Sequence, residues 1–348
     1  MSSLRPMAET ALGPVGRRLA VVRYPDLWFL GLMTIVMIVI FWRVSPSWMN
    51  TRTIPSIIAQ NAPLALASMA MTFSIISRHI DLSTGSVLAL SGMVCGLVFQ
   101  ATDSLLLALP AALLTSLAVC AFNGLLVARL GLSAIMVTLA CFIWARGLAV
   151  AFTKGDPIVV GGPWSELANA SVAGFTITAP IVVAAYVCGW LLLTRTRLGR
   201  YTYAMGGDPA AARRARIDVQ RYTLLVFLLM GLMVGLGAVI VVGQLASAQP
   251  RVAPDLGLDA IITVVIGGTR LQGGEGSMSR TAMGVAFIAI LNSGLLNLGL
   301  NEAYYEVWKG AILVGFLAVQ IWLRRLAEQA EQRRLELEAM GLAGGQAA

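Results

Sequence analysis

Long apolar runs alternate along the chain with short polar or basic segments. Nearly all of these runs approach the length of about 20 residues that an α-helix needs to cross the hydrocarbon core of a bilayer, and we predict ten candidate transmembrane helices. The runs lie at residues 27–43, 54–77, 85–102, 104–127, 133–152, 175–194, 222–245, 257–269, 280–299 and 308–323. The run at 257–269 is too short to cross alone, so we predict a broken helix there, and nine or eleven spans also fit.

The positions of the basic residues predict the orientation of these helices. Most of the 25 lysines and arginines fall in segments that face the cytoplasm if the N terminus does. Basic residues are retained on that side of the membrane, so we predict ten spans with both termini in the cytoplasm. A single transmembrane domain over 1–348 would then have cytoplasmic segments at 1–26, 195–221 and 324–348.

Composition agrees with this interpretation. Apolar residues make up 58% of the 348 residues and charged residues 12%, with 35 glycines, which are the proportions of an integral membrane protein. The predicted fold class is therefore an all-α integral membrane protein. The formal net charge of +8 follows from the oriented basic segments and suits anionic membrane lipids as a partner, whereas nucleic acid is not an expected partner.

Several chemistries are excluded by counting residues. Lys154 and Lys309 are the only lysines and each is followed by glycine, so the chain has no Walker motif with which to bind ATP. The only histidine, His79, cannot supply a two-histidine metal site. Asp81 lies close to His79, but no G-x-S-x-G elbow accompanies them. We predict no catalytic residue, no metal and no cofactor in this chain.

Two polar segments carry signals for helix ends. In RTRLGRYTYAMGGDPAAARRARIDVQR, residues 195–221, Asp208 is a good N-cap and Pro209 a good first helical residue. The arginine-rich helix that follows either docks on a soluble partner or only fixes the topology.

The second segment, RHIDLSTGSVLALSG, leads into the third apolar run. Asp81 can accept N–H groups where that helix begins, Ser83 or Thr84 can cap it, and Gly85 permits the turn.

The first of these segments resembles the cytoplasmic signature of ribose-type sugar permeases, the membrane subunits of ATP-binding cassette (ABC) importers. Further stretches are similar to that family in the same order: IDLSTGSVLALSG, FNGLLVARLGLSAIMVTLA, ARGLAVAFTKGDPI and VVIGGTRLQGGEGSMSRTAMG. The chain departs from the family at Arg78, His79 and Arg216, where glycine is usual, and at Arg270, where a small residue is usual. We hypothesise that Arg78 and His79 adapt their loop to a particular partner surface.

The resemblance implies a large-bundle (type II-like) importer permease of about ten helices in the bacterial inner membrane. Its implied partners are a cytoplasmic ATPase that uses the ATP, a periplasmic binding protein, and a second permease subunit, identical or homologous. The implied cargo is a monosaccharide or polyol. Alternatives are the related importers of branched-chain amino acids or nucleosides, and a secondary transporter or channel that needs no ATPase.

The resemblance also assigns roles to residues. The residues implied to couple the permease to its ATPase are Gly199, Arg200, Gly206, Gly207, Asp208, Pro209, Ala212 and Arg213. The helix-entry motif consists of Asp81, Ser83, Gly85 and Ser86.

Polar residues within the apolar runs are candidates for a sugar path, because amides offer uncharged hydrogen bonds to hydroxyl groups. They are Asn61, Asn123, Gln244 and Asn292. Simple hydrogen bonding between helices is the alternative for each. Arg146 lies near the predicted outer end of its helix, and we expect it to extend toward the membrane surface.

The segment NEAYYEVW is a candidate surface for the binding protein on the outer side. Its candidate residues are Glu302, Tyr304, Tyr305 and Glu306. Charged and aromatic residues together suit a transient docking surface, although they also occur in the aromatic belts of membrane proteins.

Overall fold

The computed structural model describes residues 25–50, 53–172, 175–301, 303–319 and 321. The predicted tail, and all but the end of the predicted N-terminal segment, lie outside the described residues. The α-helices are α1 (Pro25–Val44), α2 (Thr53–Gln60), α3 (Ala62–Ile76), α4 (Thr84–Thr102), α5 (Leu105–Leu130), α6 (Ala134–Ala151), α7 (Pro163–Asn169), α8 (Thr178–Arg195), α9 (Arg197–Gly207), α10 (Pro209–Arg214), α11 (Val219–Leu245), α12 (Leu256–Ile266), α13 (Met278–Asn297) and α14 (303–319).

Each predicted span overlaps a helix. Within the described residues, six helices are long and apolar enough to cross a membrane: α4, α5, α6, α8, α11 and α13. Helices α2 and α3 qualify only as a pair and are bent by 55° at Asn61. Helix α12 has 11 residues, too few to cross a bilayer alone, as predicted. The structure thus supports a helical membrane protein, while the number of ten crossings and the location of the termini stay predictions.

Helix α11 lies at the centre of the bundle, against α3, α4 and α5. Two glycines let α11 approach α5 closely. A Cβ added to Gly231 would lie 2.9 Å from the carbonyl oxygen of Ser116, and one added to Gly235 would overlap the Ser116 hydroxyl. Small residues at such a crossing let the two helix backbones approach closely and pack by van der Waals contact.

Short strands accompany the helices on the predicted outer side, in loops of an otherwise helical structure. Four two-residue strands occur among the described residues: β1 (Ile158–Val159), β2 (Ser171–Val172), β3 (Phe175–Thr176) and β4 (Ser247–Ala248). Strand β1 pairs with β4 and β2 with β3, both antiparallel. Such short strand pairs provide hydrogen-bond partners for backbone groups in the loops. The pattern of apolar residues gives no sign of them.

The loop after β4 is also held by Arg146 of α6. Its Nη1 donates to the carbonyl oxygens of Pro250 (3.1 Å) and Val252 (3.0 Å). Both acceptors belong to a loop on the predicted outer side, so the guanidinium of Arg146 reaches toward that side, and its position relative to the membrane surface stays a prediction.

The close crossing of α5 and α11 predicts that Gly235→Ala destabilises the protein. Overpacking of this kind costs about 1–3 kcal/mol, which outweighs the gain of about 1 kcal/mol from replacing a helical glycine. Gly147→Ala in α6 is the matched control, since a Cβ there has no neighbour within 4 Å. Thermal unfolding of the two purified variants in detergent checks this; equal melting temperatures would contradict it.

Candidate functional site

The coupling segment, residues 195–221, forms two short helices between α8 and α11. The turn from α8 into α9 is very tight, since a Cβ on Gly199 would overlap the backbone carbonyl of Leu193. At the other end of α9, a Cβ on Gly206 would overlap the carbonyl oxygen of Ile76, whereas Gly207 has open space around it. Glycine is thus sterically required at 199 and 206, and a side chain at 207 would meet no obstruction.

Asp208 is the N-cap of α10, and Pro209 occupies its first turn, as predicted. The carboxylate Oδ1 accepts hydrogen bonds from the N–H groups of Ala210 (2.8 Å) and Ala211 (3.1 Å). These bonds, the Ala211 bond first, lower the pKa of Asp208 below its ordinary value. Because N–H groups at a helix start have no partner within the helix, the carboxylate supplies one and fixes where α10 begins.

The implied coupling residues divide between two faces. Gly199, Gly206 and Ala212 are buried against the bundle. Three polar residues, Arg200, Asp208 and Arg213, are exposed to solvent with Gly207. The segment therefore presents a basic outer face on a base of small residues.

The base is anchored to the loop that precedes α13. Tyr203 donates its hydroxyl to the carbonyl of Gly276 (2.7 Å), and Gly274 donates its N–H to the carbonyl of Ile76 (2.8 Å). Three chain segments distant in sequence meet here, and we call this meeting point the junction: residues 76–78, 203–207 and 273–276. The tyrosine was not singled out in the sequence, although its neighbours belong to the signature.

The helix-entry motif is buried beside the junction. The Oδ1 of Asp81 accepts the N–H of Ser83 (2.8 Å), as predicted, and also its hydroxyl (2.6 Å). Burial raises the pKa of Asp81. Ser83 is the N-cap residue of α4, as predicted, but its side chain makes no capping bond; its hydroxyl donates to Asp81 and accepts from the amide of Asn123 instead.

The role assigned to Gly85 also needs correction. A Cβ on Gly85 would overlap the carbonyl oxygen of Ala253, so glycine permits close packing of a distant loop rather than a turn. The fourth motif residue, Ser86, is buried, and its hydroxyl has no hydrogen-bond partner among the described residues.

Two of the candidate path residues are in direct contact. Asn292 of α13 donates to the amide oxygen of Asn61 (3.3 Å), which lies at the break between α2 and α3. Gln244 of α11 donates to the carbonyl of Ala59 (2.9 Å), just before that break. Asn123 is not part of this group, since its amide donates to the hydroxyl of Ser83 (3.3 Å).

A buried ion pair adjoins these amides and was missed in the sequence. Lys309 of α14, with only 6% of its surface exposed, pairs with Asp259 of α12 at 2.8 Å. Its ammonium also lies 5.7 Å from the ring centre of Tyr305. The available signal was the presence of one charge in each of two apolar runs, since charges within a membrane protein are costly unless paired.

The candidate docking residues are separated by the structure. Tyr304 is 61% exposed and Glu306 is exposed. Tyr305 turns inward instead and donates its hydroxyl to the amide oxygen of Asn292 (2.9 Å). Glu302 lies outside the described residues. Tyr305 therefore connects the start of α14 to the amides near the helix break.

Comparison with known proteins identifies the family. The family model described as "Branched-chain amino acid transport system / permease component" matches residues 53–317. The chain belongs to this family of importer permeases.

Curated relatives refine the match. The ribose import permease protein of Escherichia coli K12 is 35% identical over 80% of this chain and 89% of its own length. That of Bacillus subtilis 168 is 36% identical over 82% of this chain and 89% of its own. The D-allose transport system permease protein of E. coli K12 is 32% identical over 82% and 88%, respectively. These relatives confirm the resemblance to ribose-type permeases, and no solved structure matches.

Two residues at which the permease departs from the usual family pattern keep a backbone conformation that suits glycine. Arg78 has φ of 65° and Arg216 has φ of 59°, both in the left-handed region that side chains disfavour. His79 is half-buried, and burial lowers its pKa to about 4. It is therefore neutral near pH 7, and its ring lies edge-on to Phe227.

The cap geometry predicts how changes at Asp208 affect the permease. Asp208→Asn keeps an N-cap acceptor and is expected to preserve α10, whereas Asp208→Ala removes the acceptor and loosens the helix start. The lowered pKa means that the stabilisation by the carboxylate is complete above its ordinary pKa and is lost only as pH falls through the lowered value. Hydrogen exchange of the Ala210 and Ala211 amides at neutral pH checks this: exchange is expected to be faster in the Ala variant than in the wild type. Exchange in the Asn variant that is as fast as in the Ala variant would contradict the prediction.

Proposed function

We propose that this chain is the membrane subunit of an ABC importer that carries a monosaccharide across the bacterial inner membrane. ATP hydrolysis takes place on a separate cytoplasmic subunit, so the chain itself is not an enzyme. A periplasmic binding protein delivers the sugar, and a second permease subunit completes the path. The observation that carries the proposal is similarity over four fifths of the chain to permeases named for ribose and D-allose.

A surface for the ATPase is supported by the geometry of the coupling segment. Helix α10 begins at a satisfied cap and rests on buried Ala212, which holds the exposed Arg213 in a defined position. A short rigid helix of this kind can enter a groove on a soluble subunit, while α8 and α11 carry its motion into the bundle. The basic outer face favours acidic residues on the ATPase.

A path for the sugar is supported by the amides at the helix break. Asn61, Asn292 and Gln244 converge there, and Tyr305 adds a hydroxyl group. Side-chain amide and hydroxyl groups can exchange hydrogen bonds with sugar hydroxyls, because each of them can both donate and accept. The ion pair of Lys309 with Asp259 holds α12 and α14 together next to these groups.

A docking surface for the binding protein is supported at the start of α14. Exposed Tyr304 and Glu306 lie there, and a charged residue beside an aromatic one suits a transient protein contact. The next residue, Tyr305, donates its hydroxyl to Asn292. A binding protein that moves Tyr304 would therefore also move Tyr305 and the amide that it contacts.

The second candidate cargo is a branched-chain amino acid. The description of the matching family model favours it, while the names of the ribose, D-allose and L-arabinose relatives favour a sugar. The relatives are individual proteins named for their cargo, whereas the model describes a whole family, so the relatives carry more weight for the substrate class.

Reconstitution with the cognate ATPase and binding protein tests the function. ATP enclosed in proteoliposomes is expected to drive uptake of a labelled monosaccharide, and a panel of pentoses, hexoses, polyols, nucleosides and branched-chain amino acids identifies the cargo. Uptake of the amino acids alone would support the second candidate. Uptake that persists without ATP, in a chain that never co-purifies with an ATPase, would show a secondary transporter or channel instead.

The amide cluster predicts that Asn292→Ala slows uptake. The substitution removes the amide that is proposed to bond the sugar, together with its bonds to Asn61 and Tyr305, and loss of about 1.4 kcal/mol of hydrogen bonding to the passing sugar corresponds to about a tenfold change in rate. Asn297→Ala, on the same helix, is the matched control because Asn297 bonds only the exposed Ser45 hydroxyl among the described residues. Initial uptake rates at saturating binding protein measure the effect; equal rates for the two variants would exclude Asn292 from the path.

A further inference from the structure

Arg78 makes contacts that the proposed function leaves unassigned. Its Nε donates to the carbonyl oxygen of Gly206 (2.6 Å) and its Nη2 to that of Gly207 (2.7 Å). The residue adopts φ of 65°, a left-handed conformation that residues with a Cβ rarely take. The backbone of Arg78 thus keeps an unfavourable conformation. From that conformation its guanidinium reaches the carbonyl oxygens of two consecutive residues of another helix.

Those carbonyls belong to the last turn of α9, which ends at Gly207. The last carbonyls of a helix have no partner within it, and the partial negative charge at a helix C-terminus attracts a cation. Arg78 therefore closes the end of α9 with two charge-assisted hydrogen bonds. Such bonds are stronger than those between neutral groups.

The side chain of Arg78 is also packed along its stem. A Cβ on Gly273 would overlap the Cγ of Arg78, so only glycine leaves room for the arginine there. Gly206 lies against the carbonyl of Ile76 in the same way. Arg78 thus belongs to all three segments of the junction: it follows α3, it lies on Gly273, and it holds the end of α9.

Helix α10 starts immediately beyond these contacts. Asp208 is its N-cap, and the charge of Arg78 contributes to the lowered pKa of that carboxylate. In the other direction, α3 leads from the junction to Asn61 and is buried along its whole length. The surface to which Arg78 is fitted is therefore the coupling segment of this same chain.

We propose that Arg78 is a positioning residue that makes α10 and α3 move as one unit, so that ATP-driven displacement of α10 reaches the amides around Asn61. This inference rests on the proposed docking role of the coupling segment. Glycine, usual in the family at this position, would keep the backbone conformation but supply no donor. The backbone bond of Gly274 to Ile76 and the hydroxyl of Tyr203 join the junction without Arg78, and Arg78 tightens it.

The test uses the complete importer in proteoliposomes, with ATP inside and sugar-loaded binding protein outside. Arg78→Met keeps the stem that packs on Gly273 and removes both donors, and Arg78→Lys keeps the charge but not the fork of two donors. Arg129→Met is the matched control, because Arg129 lines the same cytoplasmic cleft as Arg78 and is not part of the junction. ATP hydrolysis with and without binding protein, and sugar transported per ATP, are measured for equal amounts of complex.

We expect Arg78→Met to retain its ATPase subunit and to hydrolyse ATP, with sugar transported per ATP reduced about tenfold. Arg78→Lys is expected to lie between it and the wild type, and Arg129→Met to equal the wild type. Wild-type transport per ATP in Arg78→Met would overturn the proposal. If that variant does not fold, Arg78→Lys decides, since undiminished coupling without the guanidinium fork would overturn it equally.

Failure of the proposed function has a different signature. A wild-type chain that never associates with an ATPase, or that transports without ATP, defeats the importer proposal before any variant is compared. A working wild-type importer with an unaltered Arg78→Met defeats only the role of Arg78.

Discussion

The structure depends on one constraint: a backbone N–H or carbonyl group removed from water must find a partner within the protein. Long helices meet it by themselves, but each break in a helix leaves groups without partners. The breaks here are at Asn61, after Ile76, after Gly207 and before Met278, and each is closed by contacts from distant segments. Asn292 bonds Asn61, Gly274 bonds Ile76, and Arg78 bonds Gly207. The residues proposed to act in transport are largely the ones that repair these breaks.

This constraint also separates what the sequence could predict from what it could not. The ten apolar runs predicted helices in the right places, because hydrophobic burial in a bilayer extends over a whole segment and leaves a long signal. The Asp208 cap was predictable for a similar reason, since donor and acceptor lie within three residues of each other. The partners of Arg146, Tyr305 and Arg78 are more than ten residues away in the chain, and no local pattern specifies which distant carbonyl or amide will be adjacent.

The two strand ladders and the buried ion pair were missed for related reasons. Strands of two residues are too short for a period to be recognised. Lys309 lies at the start of a predicted span, and its pairing with Asp259 of α12, 50 residues away in the chain, lets it lie almost fully buried. Glycine positions gave a better guide: those near 206 and 273–276 mark close approach between segments, although their spacing alone did not reveal which backbone approaches which.

The length of helix α3 converts a small tilt at one end into a larger displacement at the other. Its 15 residues span about 22 Å at 1.5 Å per residue. If its cytoplasmic end is clamped to the coupling segment, each degree of tilt moves the far end by about 0.4 Å. The hydrogen bond between Asn61 and Asn292 measures 3.3 Å, close to the upper limit of useful geometry. A tilt of about two degrees, smaller than the ordinary scatter in helix packing angles, would therefore suffice to break it, which releases the amide oxygen of Asn61 and the amide nitrogen of Asn292 while Tyr305 still bonds the oxygen of Asn292.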